Sequence, residues 1–486
     1  MARIPCWIYG CRLNTCGMSD SVGEPIWVES LDLDAQGIAR LPPAADAPAG
    51  EAGKVLFIRG ALPTELVSYQ ITRDKARFAK AKVVDILKPA VFRTQPRCLA
   101  FGICGGCSMQ HLDVAAQIAI KQRVLEDDLW HLARAKPAEI LRPLGGPSWA
   151  YRQRARLSVV NRSIKKGTAL VGFHEFNSGY VADMLACEIL PESVSALLLP
   201  LRELVNALSI PDEIAQFELA VGEGNAANTF QPVTVLVMRH MVPLSSADLD
   251  LVRIFAERHS VWMWLQPGGI DTAKPFHPTE GSLCYRLPEF ALEMPFLPTD
   301  FTQVNHAMNR ALVGRAMRLL APQPYERVLD LFCGIGNFTL PLARLAKAVL
   351  GIEGNNALTL RAHSNAKHNG LADIAQFQLA NLFTADAVMV RSWGPADCWL
   401  IDPPREGAMA LCQSLEALQK NFLAGDVNAL SFLPQRIVYV SCNPKTLARD
   451  TAILLGEAGY ELTQAGIVNM FPHTSHIESI AVFEKK

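Results

Sequence analysis

The chain has 486 residues, of which 50% are apolar and 19% charged, and its formal net charge is -1. This composition excludes a disordered protein, and the length exceeds what one hydrophobic core usually serves, so we expect two to four domains. The near-neutral charge gives no indication of a nucleic-acid partner by itself.

The sequence has no run of about 18 apolar residues that could cross a membrane, and its first twenty residues lack the apolar stretch of a signal peptide. We therefore expect a cytoplasmic chain without a membrane partner. Twelve cysteines in a reducing compartment indicate metal binding or catalysis more than disulfides. Residues 1–20 show no periodicity, and Cys6, Cys11 and Cys16 match no ligand spacing, so we predict a poorly ordered extension.

Residues 21–88 contain five short apolar runs separated by turn residues, which predicts a small barrel of the oligonucleotide-binding type. The runs are Ile26–Leu31, Gly37–Arg40, Lys54–Arg59, Glu65–Ile71 and Ala79–Val84. Between Arg59 and Arg97 nine basic residues face three acidic ones, a local excess of six positive charges. Lys75, Arg77, Lys80 and Lys82 alternate along a strand pair and would suit a phosphate backbone. The alternative is a solvated edge strand protected by lysines.

Residues 89–295 mix strands, at 154–160 and 233–238, with helices near 114–132 and 194–208, which predicts a central α+β domain. Cys98, Cys104 and Cys107 stand close together with glycines between them. Three such thiolates can hold a [4Fe-4S] cluster if a fourth ligand arrives from elsewhere, and Cys187 is the candidate. Zinc is an alternative, although four-cysteine zinc sites usually come as two close pairs. A radical S-adenosylmethionine enzyme would need a different spacing and an open iron site.

Residues 296–486 open with an amphipathic helix at 305–320, and apolar runs then alternate with helical periods, as in a doubly wound α/β domain. The first strand runs into a turn with Gly334 and Gly336. Thr339 occupies the third glycine position of a dinucleotide fingerprint, which favours a nucleoside-binding methyltransferase over a hydride-transfer enzyme. Glu353, Asn381 and Asp402 end the next three strands and would line the same crevice; singly, each is equally explained as a polar cap at a strand end.

Cys442 ends a predicted buried strand and precedes Asn443 and Pro444. A structural cysteine is the commoner interpretation, but this position in a cofactor-binding sheet favours a nucleophile that adds to C6 of a uracil. Glu478 begins the last apolar run and can serve as the base that removes the C5 proton. A metal site on His473, His476 and Glu478 is the rival interpretation.

The sequence Asp402-Pro-Pro-Arg405 is close to the motif of amino-group methylases, in which an aromatic residue stands at the place of Arg405. Amino methylation needs no thiol. This alternative would therefore leave Cys442 without a role.

Together these motifs resemble the family of RNA (uracil-5-)-methyltransferases, from about residue 24 to the end. The motifs are the cysteine cluster, Asp300-Phe-Thr-Gln-Val-Asn, Asp330-Leu-Phe-Cys-Gly, Asp402-Pro-Pro-Arg, Ser441-Cys-Asn-Pro and the final His-x-Glu. The resemblance implies a TRAM domain for the barrel, a Rossmann-like catalytic domain and S-adenosylmethionine as methyl donor. It implies a [4Fe-4S] cluster on Cys98, Cys104, Cys107 and Cys187, and Cys442 and Glu478 as nucleophile and base.

The resemblance also implies a cofactor site made by Gln303, Phe332, Asn337, Glu353, Asn381 and Asp402. Family members that carry both a barrel and a cluster favour uridine 1939 of 23S ribosomal RNA as the substrate. Another ribosomal or transfer-RNA uridine is the alternative within the family, and an RNA-binding iron-sulfur module with a vestigial methylase domain is the alternative outside it. We expect a monomer.

Overall fold

The computed structural model describes residues 22–32, 34–43, 53–161, 167–224 and 230–486. The predicted extension at residues 1–20 lies outside these ranges. The chain divides into two compact units. Unit 1 comprises the described parts of Met1–Ile120, with Gly172–Glu188 and Pro472–His476, and unit 2 comprises Lys121–Val171, Ile189–Phe471 and Ile477–Lys486.

The amino-terminal part of unit 1 is a six-stranded sheet in the order β1-β5-β6-β4-β3-β2. Its strands are β1 (Gly23–Trp27), β2 (Ser30–Leu31), β3 (Gln36–Arg40), β4 (Val55–Arg59), β5 (Leu66–Asp74) and β6 (Phe78–Lys88). β1 pairs with β5 at one edge, and β2, two residues further along the chain, pairs with β3 at the other. One chain segment therefore joins both edges and closes the sheet on itself, around a core that includes Leu56, Ile58 and Val67.

The strand-rich amino-terminal region predicted from the sequence is confirmed. Ala79, Ala81 and Val83 of β6 are buried, so the alternating Lys80 and Lys82 point outward, and the strand register places Arg73 beside Lys80 and Arg59 beside Lys82. Among the described basic residues between Arg59 and Arg97, two form ion pairs with glutamates of unit 1. Arg93 forms an ion pair of 2.5 Å with the buried Glu65, and Arg97 lies 3.4 Å from Glu188.

A helix and several short elements connect the amino-terminal sheet to the rest of the chain. α1 (Val114–Ala133) begins in unit 1 and continues in unit 2. It is followed by β7 (Glu139–Ile140), β8 (Arg154–Val160), β9 (Leu170–Gly172), α2 (Glu192–Ser195) and α3 (Leu198–Ala207). The strand predicted at 154–160 is confirmed, whereas the single helix predicted at 194–208 is two helices.

The second sheet of the described residues has eight strands, with β13-β12-β11-β10-β14-β15 as its main path and β8 beside β10. Its remaining elements are β10 (Ile214–Glu223), β11 (Pro232–His240), α4 (Ser246–His259), β12 (Trp262–Gln266), β13 (Lys274–His277), β14 (Leu283–Leu287) and β15 (Leu292–Phe296). A capping box of Ser245 and Asp248 fixes the start of α4.

The third sheet is the doubly wound sheet that the sequence predicts. Its elements are α5 (His306–Leu320), β16 (Arg327–Leu331), α6 (Thr339–Ala343), β17 (Ala348–Glu353), α7 (Asn356–His368), β18 (Ala375–Leu379), α8 (Ala387–Ser392), β19 (Cys398–Ile401), α9 (Met409–Leu423), β20 (Arg436–Ser441), α10 (Pro444–Leu455), β21 (Tyr460–Val468) and β22 (Glu478–Lys485). The strand order is β18-β17-β16-β19-β20-β22-β21-β7.

Five neighbouring strands of this sheet, β16 to β20, run parallel, and β22 is antiparallel to β20 and β21. The carboxyl ends of the parallel strands therefore meet at one edge, where a doubly wound sheet binds its ligands. β7 adds to β21 at the outer edge. No helix in the described part of the chain is long and apolar enough to cross a bilayer.

Candidate active site

The turn after β16 is held in backbone conformations that few residues other than glycine adopt. Gly334 and Gly336 have φ angles of 56° and 93°, and Phe332 has a φ of 65°. Backbone amides of Phe332 and Cys333 both donate to the carbonyl of Ile352 on β17. The two glycines therefore permit a tight turn that leaves room at the strand end for a ligand.

Glu353 ends β17 beside this turn. One carboxylate oxygen accepts a hydrogen bond of 3.0 Å from the amide of Gly334, and the other accepts one of 2.9 Å from the amide of Asn355. A carboxylate oxygen can accept more than one hydrogen bond, so both oxygens retain capacity for a pair of ligand hydroxyls. The carboxylate is thus fixed in orientation before a ligand arrives.

Two further carboxyls lie at the same edge of the sheet. Asp330 is fully buried within β16, and one of its oxygens accepts a hydrogen bond of 2.5 Å from the Thr339 hydroxyl. Burial, with Asp402 and Glu353 nearby, raises the pKa of Asp330 to about 7. Burial likewise raises the pKa of Asp402 to about 7. The sequence analysis names Asp330 only as part of a motif and not as a site residue, although a carboxyl inside an apolar strand is a signal for such a role.

Aromatic side chains stand next to the turn. The ring centroids of Phe332 and Phe383 are 5.5 Å apart, and the Phe383 side chain is half exposed. Asn381 precedes Phe383, and its side-chain oxygen accepts a hydrogen bond of 3.1 Å from the Phe383 amide. Asn381 therefore shapes the loop after β18 that presents an exposed ring at the crevice.

Asn337 is tied into a network with helix α5. Its side-chain oxygen accepts hydrogen bonds from the Tyr285 hydroxyl and the Asn309 amide, each of 2.9 Å, and its own amide donates to Asn309 at 3.0 Å. One amide hydrogen remains for a ligand. Gln303 is half-buried in the segment before α5. That segment is fixed by an ion pair of 3.1 Å between Asp300 and Arg361.

Cys442 and Glu478 come together at the end of the sheet. The register of β20 and β22 pairs Ser441 with Ser479, so Cys442 and Glu478 are the next residues on the two strands. Burial raises the pKa of the Cys442 thiol to about 12, with Glu478 and Asp402 adding to the effect and Arg405 opposing it. Burial and the charge of Asp402 raise the pKa of Glu478 well above its usual range.

The loop that carries Asp402 and Arg405 is anchored to the start of α10. The carbonyl of Arg405 accepts hydrogen bonds from the side chains of Asn443, at 3.1 Å, and Thr446, at 3.3 Å. Further along, the buried Asp450 accepts a hydrogen bond of 2.7 Å from the amide of Ala408. These bonds hold the Asp402-Pro-Pro-Arg405 loop against the strand end that bears Cys442.

The four cysteines predicted as cluster ligands belong to unit 1. Cys104 and Cys187 are buried, and Cys98 and Cys107 are half-buried thiols. Burial raises the pKa of Cys107 to about 12, and Cys187, Cys104 and Cys98 each add to that effect, so the four sulfurs share one neighbourhood. The backbone around them is ordered by hydrogen bonds from Cys104 to the carbonyl of Ala100 and from Cys98 to the side chain of Gln110.

Within the described ranges, no three or more His, Cys, Asp or Glu side chains are arranged closely enough to hold a metal ion. The alternative metal site on His473, His476 and Glu478 therefore has no support from the geometry. The four cysteines supply the thiolate donors that an iron-sulfur cluster takes, but within the described ranges their side chains do not form a closed ligand set.

The comparisons with known proteins match the region of the chain that contains these residues. A family model described as tRNA (Uracil-5-)-methyltransferase matches residues 291–486, the region of the doubly wound sheet. The fold and the match thus define the class of the catalytic region, a uracil-5-methyltransferase.

Relatives identify the family more narrowly. The chain is 63% identical to the 23S rRNA (uracil(1939)-C(5))-methyltransferase RlmD of Polynucleobacter necessarius, over 96% of this chain and 98% of that relative. It is 56% identical to the protein of the same name from Cupriavidus necator, over 94% of this chain and 99% of the relative. The chain belongs to the family of 23S rRNA (uracil(1939)-C(5))-methyltransferases.

A solved structure extends the likeness to most of the fold. The tRNA (uracil-54, C5)-methyltransferase of Pyrococcus abyssi, solved in complex with S-adenosyl-L-homocysteine, covers 95% of this chain and all of its own with a TM-score of 0.67. The two sequences are 19% identical, so this likeness concerns the fold.

Proposed function

We propose that the protein transfers a methyl group from S-adenosylmethionine to C5 of uridine 1939 of 23S ribosomal RNA. The observation that carries the proposal is the meeting of Cys442 and Glu478 at the carboxyl edge of the doubly wound sheet, beside Asp402. The names of relatives at 55–63% identity over nearly the whole chain support the same substrate.

Cys442 acts as the nucleophile. Uracil C5 is a poor nucleophile, so the sulfur first adds to C6, and the electron pair of the C5=C6 bond moves into an enolate. The thiol proton passes to water as the S–C6 bond forms. The Arg405 guanidinium opposes the rise in the pKa of Cys442 and thereby favours this ionisation. A thiol of high pKa gives a strongly nucleophilic thiolate once it is ionised.

Glu478 then completes the reaction. When bound, S-adenosylmethionine would supply the electrophilic methyl group that C5 attacks, and S-adenosylhomocysteine would leave with the electron pair of the broken S–CH3 bond. A carboxylate whose pKa is raised by burial is a better base than an exposed one, and Glu478 takes the proton from C5. The electron pair of the broken C–H bond restores the C5=C6 bond, and the C6–S bond breaks to release Cys442.

The methyl donor would bind at the glycine turn. Glu353 would accept the two ribose hydroxyls, since both of its oxygens are oriented by backbone amides. Phe332, with Phe383 beside it, offers an aromatic surface for the adenine, and Asn381 holds the loop that carries Phe383. Gln303, Asn337 and Asp402 complete the proposed set, Asn337 with the one amide hydrogen that the network with α5 leaves over.

The four cysteines of unit 1 would hold a [4Fe-4S] cluster. Their sulfurs are close enough that each of the other three disfavours the ionised form of Cys107, a repulsion that a bound cluster would remove. The cluster would support the cysteine segment structurally, and no step of the methyl transfer involves it.

The region 21–88, whose described strands form the closed sheet, would be the TRAM domain that binds RNA through Lys80, Lys82 and the neighbouring Arg73. The central domain would span 89–295 and the catalytic domain 296–486. In solution we expect a monomer.

The function is tested with purified protein and 23S ribosomal RNA that lacks the modification. Mass mapping after incubation with S-adenosylmethionine should find one added methyl group, at uridine 1939, and Cys442→Ala should add none. Normal turnover by Cys442→Ala would refute the mechanism. Methylation at another ribosomal uridine would retain the chemistry and change the site.

A further inference from the structure

Helix α1 contains a lysine in an unusual environment. Lys121 is 1% exposed, and its ammonium group donates hydrogen bonds of 2.9 Å to the side-chain oxygen of Asn469 and 2.8 Å to the carbonyl of Phe471. Burial lowers the pKa of Lys121 to about 7. Burying an ammonium group costs free energy that an apolar side chain in the same space would not cost. The two hydrogen-bond acceptors of Lys121 therefore indicate a specific role for this residue.

The acceptors lie next to the proposed base. β21 and β22 pair Val468 with Glu478, and Asn469 immediately follows Val468. The neighbouring residue of α1, Gln122, accepts a hydrogen bond of 3.2 Å from the amide of Ile467. Lys121 and Gln122 therefore bind Asn469 and Ile467, the two residues on either side of Val468, which pairs with Glu478.

Other bonds restrain the same short segment. The amide of Asn469 donates to the carbonyl of Leu144 at 2.8 Å, and the side chain of Asn305 donates to the carbonyl of Met470 at 3.2 Å. Among the described residues named here that bond to residues 467–471, only Lys121 bonds to two of these residues through one charged group. Its loss would release Asn469 and Phe471 together.

We propose that Lys121 is a positioning residue for Glu478. By fixing Asn469 and Phe471, it sets the end of the β21–β22 hairpin so that the carboxyl of Glu478 stands at the C5 proton of a uracil bound to Cys442. This inference rests on the proposed function. Lys121 affects removal of the C5 proton and leaves the addition of Cys442 to C6 unaffected.

The test separates these two steps in the full-length protein. RNA with 5-fluorouridine at the target has no C5 proton to lose, so it reports the formation of the covalent adduct, whereas RNA with uridine reports complete turnover. Lys121→Met should slow turnover on uridine RNA by about tenfold to a hundredfold, as a displaced catalytic group does. It should also accumulate an adduct that survives denaturing electrophoresis, while adduct formation on 5-fluorouridine RNA stays within about twofold of the unaltered protein.

Lys485→Met is the matched control. Lys485 lies at the other end of β22, has a pKa lowered by burial, and donates hydrogen bonds of 2.9 Å to Gln419 and 2.6 Å to the carbonyl of Ala458. This variant should change neither rate by more than about twofold. Equal turnover by the Lys121→Met and Lys485→Met variants, or an equal slowing of both steps by Lys121→Met, would overturn the inference.

A second variant covers the case in which Lys121→Met does not fold. Asn469→Leu removes one of the two acceptors and leaves Lys121 bound to Phe471; it should show the same separation of steps with a smaller effect, and normal turnover would overturn the inference. If the unaltered protein forms no adduct on 5-fluorouridine RNA, the proposed function itself fails. If Lys121→Met forms the adduct on 5-fluorouridine RNA and also turns over uridine RNA at the normal rate, the Lys121 inference fails and the proposed function stands.

Discussion

Cys442 and Glu478 each lie one position beyond Ser441 and Ser479, the last residue pair between β20 and β22. The carboxyl of Glu478 adds to the rise that burial causes in the pKa of the Cys442 thiol, because two negative charges in a buried site repel each other. The ionisation of the Cys442 thiol can therefore be followed through the pH dependence of its alkylation.

Alkylation of Cys442 by iodoacetamide should accelerate with pH across the whole accessible range. Because its pKa is raised to about 12, the thiolate fraction should increase about tenfold per pH unit from neutral pH upward without levelling off. Mass spectrometry of the Cys442 peptide measures the rate. N-acetylcysteine is the control and should level off above about pH 9. A plateau for Cys442 below pH 10 would contradict the prediction.

Glu478→Gln should trap a covalent complex between protein and RNA. The amide cannot accept the C5 proton, so Cys442 adds to C6 and C5 is methylated, but the C6–S bond does not break. Denaturing electrophoresis with labelled RNA detects the complex. Cys442→Ala combined with Glu478→Gln is the control and should give no complex, whereas rapid product release by Glu478→Gln alone would assign the base to another residue.

Glu353→Gln should weaken binding of S-adenosylhomocysteine by about tenfold to a hundredfold, the usual loss when a charged hydrogen-bond acceptor becomes neutral. Calorimetry measures the affinity. Glu326→Gln serves as control, because Glu326 precedes β16 at the opposite edge of the sheet and accepts a hydrogen bond from the Gln323 amide. Unchanged binding by Glu353→Gln would place the ribose elsewhere.

Asp330→Asn should stabilise the protein at pH 8 and have little effect near pH 4. The pKa of Asp330 is raised from 3.8 to about 7, so between these values the folded protein holds a proton that the unfolded chain has lost. The free energy of unfolding therefore falls as pH rises from about 4 to about 7, by at most about 4 kcal/mol.

The asparagine oxygen can still accept the hydrogen bond from Thr339, so the variant keeps that contact while it avoids the buried charge. Thermal unfolding at several pH values, without cofactor, gives the comparison. A difference in melting temperature between the two proteins that is constant with pH would show that Asp330 is not the titrating group.

If the four cysteines hold the proposed cluster, anaerobically purified protein should be brown, and Cys107→Ser should reduce its iron content and its colour, because it removes one of the four neighbouring sulfurs. Cys412→Ala is the control, since Cys412 is a buried thiol in α9 and should leave the iron unchanged. Unaltered protein that is colourless and contains zinc would show that the four cysteines bind zinc and not the proposed cluster.

Much of the catalytic region follows from local sequence signals. The apolar runs, the glycines after β16 and the polar residue at each strand end predict both the doubly wound sheet and the edge at which Glu353, Asp402 and Cys442 meet. Glu478 was predictable for the same reason, since it begins the last apolar run. The start of α5 follows from Asn305, whose side chain caps the helix.

Long-range features escape such signals. Lys121 reaches Asn469, 348 residues away, and nothing in the sequence around either residue indicates the other. The side chain of Asn337 is used mainly in bonds to Tyr285 and Asn309, which a motif cannot show. The length of α6, the helix after the glycine turn, also escapes the sequence signals: it has five residues, and the chain reaches β17 soon afterwards.

The two-residue strand β7 has a practical consequence for protein engineering. Glu139 and Ile140 complete the outer edge of the catalytic sheet, and the Glu139 carboxylate accepts a hydrogen bond of 2.6 Å from the Gln464 side chain. A fragment cut at residue 291 would bare the backbone of β21 and invite aggregation through that edge. It would also lack Lys121, so the side-chain oxygen of Asn469 and the carbonyl of Phe471 would lose their hydrogen-bond donor. Chimeras between family members should therefore keep everything from α1 onward from a single parent.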